Sequence, residues 1–377
     1  MQLYVVGGAV RDELLGLPAS DRDWVAVGAT PQQLLDLGYK PVGKDFPVFL
    51  DPASGEEVAL ARTERKVGLG YHGFTFHAAP SVTLEEDLAR RDLTINAMAR
   101  AADGTLVDPY GGQADLRARV LRHVSPAFVE DPVRLLRVAR LAARFTDFTV
   151  APETLALLRA MVAQGEVDAL VPQRVWQELQ RGLMAADPTR LLAVLHDTGA
   201  LARLAPALDA AWNASAGAVL RRCAASGQPL PVRWACLVRT LPSAADAQAL
   251  GAQWRVPSDC LQLAELLQRV HAELHSSRNA SDVVDLFDHA DAWRRADRFA
   301  LLLQAQACWD NDDSDSGPDR PSRRLPPLLA AAQAVDTAAV AQQAHGQGLR
   351  GPAVGQAIRD ARVSALAVAL ATALAGS

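Results

Sequence analysis

Lysine is almost missing from this chain. Only Lys40, Lys44 and Lys66 occur in 377 residues, so nearly every cation is an arginine. An arginine cluster therefore carries less information here than in a chain that uses both cations. Overall basicity is missing as well. The formal net charge is -5, and the chain as a whole does not advertise a nucleic-acid partner. Cysteine is sparse: Cys223, Cys236, Cys260 and Cys308 are scattered without zinc spacing. Free buried thiols in a reducing compartment are expected. No charged-then-apolar leader opens the chain. The apolar tail at Val363 to Leu374 is too short and Ala-rich for a membrane span. These absences predict a soluble cytoplasmic protein with no membrane partner. The oligomeric state, monomer or dimer, stays open.

What is present begins with Asp21-Arg22-Asp23. Residues two apart on a strand share a face, so Asp21 and Asp23 are expected to project together. Two bare carboxylates held that close repel by roughly 1 to 4 kcal/mol. A divalent cation removes the penalty, and oxygen ligands suit Mg²⁺. Upstream stand Gly7-Gly8, which let backbone approach a phosphate, and Arg11, which can pair with one. Gly7 and Gly8 lack the glycine spacing of a dinucleotide fingerprint, and alone they suit a structural turn equally well. Metal, phosphate and arginine together point to chemistry on a nucleoside triphosphate.

The periodicity predicts mixed α/β structure over residues 1–112 and helices thereafter. Strands are expected at Leu3–Val6, Trp24–Val27, Val48–Leu50, Glu57–Ala61 and Leu106–Asp108. Helices are expected at Val10–Leu15, Pro31–Leu37 and Leu84–Arg90, the last capped by Thr83. Val67 to Gly73 is glycine-rich, and Asp108-Pro109-Tyr110-Gly111-Gly112 reads as a boundary. Beyond it, Asp131 is expected to cap a helix that has Pro132 first and runs to Phe145. Further helices are expected at Pro152–Gln164, Pro172–Ala185, Pro188–Asp197, Leu230–Leu241, Pro257–His275 and Ala290–Ala307. Asp310 to Pro327 is polar and Pro-rich and reads as a disordered loop.

Two more clusters carry chemistry. In Arg90-Arg91-Asp92-Leu93-Thr94-Ile95-Asn96, Arg91 can bind phosphate, Asp92 can accept from a ribose hydroxyl, and Asn96 can brace either. A solvated helix end with an Asp cap is the alternative. Between Leu116 and Phe145, seven arginines face two acids, a local net of +5. That stripe suits phosphate contacts. Within it, Asp131 and Arg134 are helix neighbours at i, i+3. A carboxylate accepts the amino hydrogens of cytosine or adenine, and a guanidinium donates to the adjacent ring acceptors. Uracil and guanine would leave buried polar groups unpaired at about 1 to 3 kcal/mol each. Arg137 and Arg140 follow one turn at a time and can hold a triphosphate. A wet intrahelical salt bridge is the alternative.

In order and spacing these segments closely resemble the tRNA nucleotidyltransferase family, the CCA-adding enzymes, in the bacterial class with a polymerase-beta-like head. The matching residues are Gly7 to Asp12 with Asp21 and Asp23, Arg90-Arg91-Asp92 with Asn96 and Ala97, Asp108 to Gly112, and Glu130-Asp131 with Arg134, Arg137 and Arg140.

The resemblance implies an α+β protein, a small mixed-sheet nucleotidyltransferase head followed by an elongated all-α neck, body and tail. Its divisions would be a head over 1–112, a neck with base template and tRNA contacts over 113–210, and a body and tail over 211–377. It implies that Asp21 and Asp23 hold Mg²⁺ and that Gly8, Arg11, Arg91, Arg137 and Arg140 contact CTP or ATP. Template-independent addition of C, C and A to the tRNA 3′ end is the implied activity. Arg62 to Lys66, with the glycine loop after it, resembles the segment that helps switch from CTP to ATP. The tail from Gly348 resembles a tRNA-contacting helix. Where longer members carry a His-Asp phosphohydrolase motif, this chain has Arg239-Thr240, so a degenerate domain without that activity is expected. His271 and His275 are expected to be a surface pair. A bacterial poly(A) polymerase, a non-catalytic RNA-binding relative and a dinucleotide-dependent oxidoreductase are the alternatives.

Overall fold

The computed structural model describes residues 1–18, 22–42, 48–66, 74–310 and 320–375. By its internal contacts the chain forms two compact units, Met1–Asp209 and Ala210–Ser377.

The first unit opens with β1 (Gln2–Val6), α1 (Gly8–Leu14), β2 (Asp23–Val27), α2 (Pro31–Asp36), β3 (Lys40–Val42), β4 (Val48–Leu50) and β5 (Glu57–Leu60). There follow β6 (Arg62–Lys66), β7 (Phe74–Ala78), α3 (Leu84–Ala89), β8 (Ala99–Ala101), β9 (Leu106–Val107) and α4 (Gly112–Ala118). Seven strands make one sheet in the order β3-β4-β5-β2-β1-β8-β9. Its pairings are antiparallel except β2 with β5, which is parallel, so the sheet is mixed. Alternation along the strands builds two cores. Val6, Val25 and Ala99 pack with Leu84 and Leu88 of α3. Ala26, Val58, Leu60 and Phe49 pack with Leu34 of α2. β6 and β7 form a separate hairpin with Arg62 opposite Ala78 and Lys66 opposite Phe74. The expected glycine loop between them, 67–73, lies outside the described residues.

Helices complete the unit. They are α5 (Val133–Arg144), α6 (Pro152–Ala163), α7 (Pro172–Leu183), α8 (Pro188–Asp197) and the short α9 (Ala200–Leu204), followed by α10 (Pro206–Ala211), which spans the division between the units. Pro opens α6, α7 and α8, where its missing N–H costs nothing and its fixed φ suits a helix. α5 buries Leu135, Leu136, Val138, Ala139 and Ala142. At the start of α4 a side chain at Gly112 would meet the Thr94 carbonyl at 2.4 Å, so only glycine fits.

The second unit is helical: α11 (Ala214–Ala225), α12 (Leu230–Val238), α13 (Ala244–Trp254), α14 (Ser258–Ser276), α15 (Ala280–His289), α16 (Ala296–Trp309), α17 (Pro321–Gln333), α18 (Thr337–Gly346) and α19 (Pro352–Ala375). Trp234, Phe287 and Phe299 are fully buried in it. No helix among the described residues is long and apolar enough to cross a membrane. All four cysteines are buried free thiols, as expected.

Two expectations need correction here. The polar loop read from Asp310 to Pro327 ends early, because Pro321–Gln333 is helix despite Pro326 and Pro327 inside it. Leu325, Leu328, Leu329 and Ala332 recur at helical spacing and are buried, and that face outweighs the proline penalty. Residues 311–319 lie outside the described residues. The helix expected from Ala290 begins only at Ala296, after Asp291 turns the chain with φ 53°.

Candidate nucleotidyl-transfer site

The turn after β1 sets the geometry. Gly7 has φ +76°, a left-handed conformation that costs glycine little. A side chain there would meet Arg91 Nη1 at 3.1 Å. Gly7 N–H donates to the Met98 carbonyl at 3.3 Å, and α1 begins at Gly8. The antiparallel register sets Val6 opposite Asp23, so Asp23 stands beside the glycine turn at the exposed start of β2. Its carboxylate is exposed, an oxygen donor of the kind a hard divalent cation takes. Asp21, its expected partner, lies outside the described residues.

Behind the turn runs a chain of polar side chains, buried at its centre and half-exposed at its two ends. Arg11, 4 % exposed, donates from Nε to Asp12 at 2.8 Å and from Nη1 to Asn96 Oδ1 at 2.6 Å. Asn96 Nδ2 donates to Asp92 Oδ1 at 3.1 Å, and Asp92 Oδ2 accepts from Arg137 Nε at 2.7 Å. At the other end Asp12 Oδ2 accepts from Arg144 Nη2 at 2.9 Å. The order is Arg144, Asp12, Arg11, Asn96, Asp92, Arg137. It ties α1 and the 94–96 turn to α5. Phe145 backs it, with the Arg11 and Arg144 guanidinium carbons 5.1 and 5.0 Å from its ring centre.

Burial alone would raise the Asp92 pKa. Arg137, the Asn96 amide, the Leu93 N–H and Arg134 outweigh it and hold the carboxyl well below the carboxylate range. Asp92 in turn pushes the Arg137 pKa up. Burial pulls the Arg11 pKa down, and Asp12 opposes that pull. Asp87 follows the Asp92 pattern: burial pushes it up, and Arg91 and Arg90 bring it below its ordinary value.

Each expected site residue except Asp21 has a place among the described residues. Gly8, Arg11, Arg91, Asp92, Asn96 and Arg137 belong to one neighbourhood around the turn and α5. Arg91 Nη2 donates to Asp87 at 3.2 Å, while its Nε is buried without a hydrogen-bond partner. Asp92 braces Asn96 and Arg137 through its two oxygens. Arg137 keeps 42 % of its side chain exposed although Asp92 fixes its Nε. Arg140 pairs with Glu178 of α7.

Asp131 and Arg134 each engage a further partner. Asp131 accepts from the Val133 N–H at 3.1 Å and from Arg174 Nη2 at 2.9 Å. Arg134, 6 % exposed, donates to the Ala127 carbonyl at 2.6 Å. The helix starts at Val133 with Pro132 as its cap, so Asp131 sits one position further out than expected.

Sequence reasoning gave no individual role to Asp12 or Arg144 and missed Arg174 and Glu178. Asp12 closes the glycine motif and Arg144 lies one heptad beyond Arg137, so these two had a signal. Arg174 and Glu178, four apart on α7, had only a helical period.

In the second unit His275 is half-exposed and bonds Gln306, while exposed His271 contacts the Gln268 carbonyl. Arg239 donates to Gln306 at 3.0 Å.

A glycine turn, a strand-borne acid beside it and an arginine-rich helix facing them define a nucleotidyltransferase of the polymerase type. The family model described as the poly A polymerase head domain matches residues 3–122. A second, described as a probable RNA and SrmB-binding site of polymerase A, matches residues 147–212. The multifunctional CCA protein of Leptothrix cholodnii is 51 % identical, over 97 % of this chain and 96 % of the relative. That of an Azoarcus species is 52 % identical, over 97 % of each. The chain belongs to the bacterial CCA-adding tRNA nucleotidyltransferases. Among solved structures, a CCA-adding enzyme with ATP matches with TM-score 0.69 and 20 % identity, over 97 % of this chain and 86 % of that one. The Bacillus stearothermophilus CCA-adding enzyme with CTP gives 0.67 and 23 %, over 97 % and 89 %. The fold is the one expected, a mixed-sheet head with helices after it.

Proposed function

We propose that this protein adds C, C and A to the tRNA 3′ end from CTP and ATP at one site, with Asp21 and Asp23 holding Mg²⁺. The observation that carries the reading is the convergence of Asp23, the Gly7-Gly8 turn and the chain from Arg11 through Asn96 and Asp92 to Arg137. When bound, the divalent cation supplies charge to activate the terminal 3′-hydroxyl and to neutralise the departing pyrophosphate.

The chain's own residues do the rest. Gly7 and Gly8 bring backbone N–H groups at the start of α1 close to the triphosphate. Arg11 and Arg91 line the turn, and Arg137 and Arg140 approach from α5. Asp92 and Asn96 hold Arg137 and Arg11 in place, which removes reorganisation from the reaction step. Asp131 and Arg134 carry the base template, with Arg174 setting the Asp131 carboxylate. That template accepts an amino group and rejects uracil and guanine. The β6–β7 hairpin carries the segment that assists the change from CTP to ATP, and α19 contacts tRNA. Residues 1–112, 113–210 and 211–377 serve as head, neck and body with tail. The last lacks the His-Asp ligands of a phosphohydrolase.

Steady-state incorporation with tRNA and CTP tests the metal role. Asp21→Ala and Asp23→Ala should each lower kcat by several orders of magnitude with folding intact. Turnover near wild type in both would refute it. The poly(A) polymerase reading predicts ATP-only extension of generic RNA, and 51 % identity to CCA proteins along the chain disfavours it.

A further inference from the structure

Three of the four cysteines, scattered in sequence, meet in the second unit. Cys223 comes from α11, Cys236 from α12 and Cys308 from the last turn of α16. Their sulfur atoms all lie within 4.8 Å of one another, and each residue is buried. Cys260, equally buried, stands outside the group. Sulfurs bound to one common ion with metal–sulfur bonds of ~2.3 Å sit about 4 Å apart. The observed triangle, with no side longer than 4.8 Å, is compatible with that size.

The surroundings suit a negatively charged cluster. Arg233, 4 % exposed, is fixed by the Gln228 carbonyl at 2.8 Å and interacts electrostatically with Cys223 and Cys308. Arg222 donates to the Cys308 carbonyl at 2.7 Å and acts on its sulfur. Arg239 acts likewise on Cys236. A core that buries three thiols beside arginines does more than fill space, because apolar packing needs no cation there.

We propose that Cys223, Cys236 and Cys308 form a buried three-thiolate site for a soft cation, Cu(I) or Zn(II). Thiolates select such cations, and three sulfurs without a fourth ligand among the described residues favour trigonal Cu(I). Binding displaces three thiol protons to solvent and leaves a net negative cluster opposite the arginines. The site is closed, so its role is to join three helices of the unit.

The test is titration of the full, reduced protein with Cu(I) held by a competing chelator, and separately with Zn(II). Native mass spectrometry gives stoichiometry and X-ray absorption gives the ligand shell. One cation per chain in a three-sulfur shell is expected. Cys236→Ala should weaken binding by more than the ~10–100-fold that follows loss of an outer-shell partner. Cys260→Ala should bind as wild type does. The wild-type titration decides even where Cys236→Ala folds poorly. Stoichiometric binding of either cation through sulfur supports the site and names the ion. Failure of both cations to bind, a nitrogen and oxygen shell, or equal loss in Cys260→Ala overturns it.

Discussion

Asp92→Asn is the most informative single change in the first unit. It keeps the shape of the side chain and the contact from Asn96, but it removes the charge opposite Arg137 and turns one acceptor into a donor. A hydrogen bond to a charged group contributes about 1.5–3 kcal/mol, and stripping one partner from a fully buried ion pair costs about 3–5 kcal/mol. Asp92 is buried, but Arg137 is 42 % exposed and water takes over part of its solvation. The cost therefore belongs near the lower range, about 1.5–3 kcal/mol.

The sign of the pH dependence follows from the depressed Asp92 pKa. The unfolded chain takes up its proton near ~3.9, and the native carboxyl resists until lower pH. The stabilisation is complete above ~3.9 and is lost as pH falls from there toward the folded value. Asp92→Asn should be less stable than wild type at neutral pH, with the difference closing in acid. Urea denaturation across pH, followed by a probe in the first unit, reads this. Nucleotide incorporation by the same variant should fall with it, because Arg137 loses its anchor. Equal stability at pH 7 together with unchanged incorporation would refute the bracing role.

Three other outcomes follow from single contacts. Gly112→Ala should destabilise the first unit by several kcal/mol, because its methyl would meet the Thr94 carbonyl at 2.4 Å and a backbone atom cannot yield cheaply; thermal melting reads it. Gly7→Ala faces both a positive φ and Arg91 at 3.1 Å, so KM for CTP should rise by about tenfold for each ~1.4 kcal/mol lost. Arg174→Ala releases Asp131 and should narrow the preference for CTP and ATP over UTP and GTP, as should Asp131→Glu with Arg134→Ala. Competition assays with all four nucleotides measure that ratio.

Much of the site was legible because its residues carry their chemistry in short runs. Gly7 to Asp12, Arg90 to Asn96 and Glu130 to Arg140 each combine turn, cation and acid within a dozen positions. The principal strands were legible through β-branched runs such as Val5-Val6 and Val25. What escaped depended on tertiary packing. The carboxylate of Asp131 is met by Arg174, 43 residues away. Asp92 turns inward because Arg137 and Asn96 are there to meet it. α11 and α13 were passed over because alanine-rich segments have weak periodicity and take helical form from their neighbours. β6 and β7 needed each other to exist, as hairpin strands do. The cysteine triangle has no spacing signature, since three helices deliver one thiol apiece.

The central claim is tested most directly by incubating purified protein and Mg²⁺ with tRNA trimmed of its 3′ CCA, supplying each nucleotide alone and then CTP with ATP. The account predicts two cytidines from CTP alone, a completed CCA end from the pair, and no product from UTP or GTP. Runs of adenosine on any RNA from ATP alone, or indifference to the tRNA end, would contradict it.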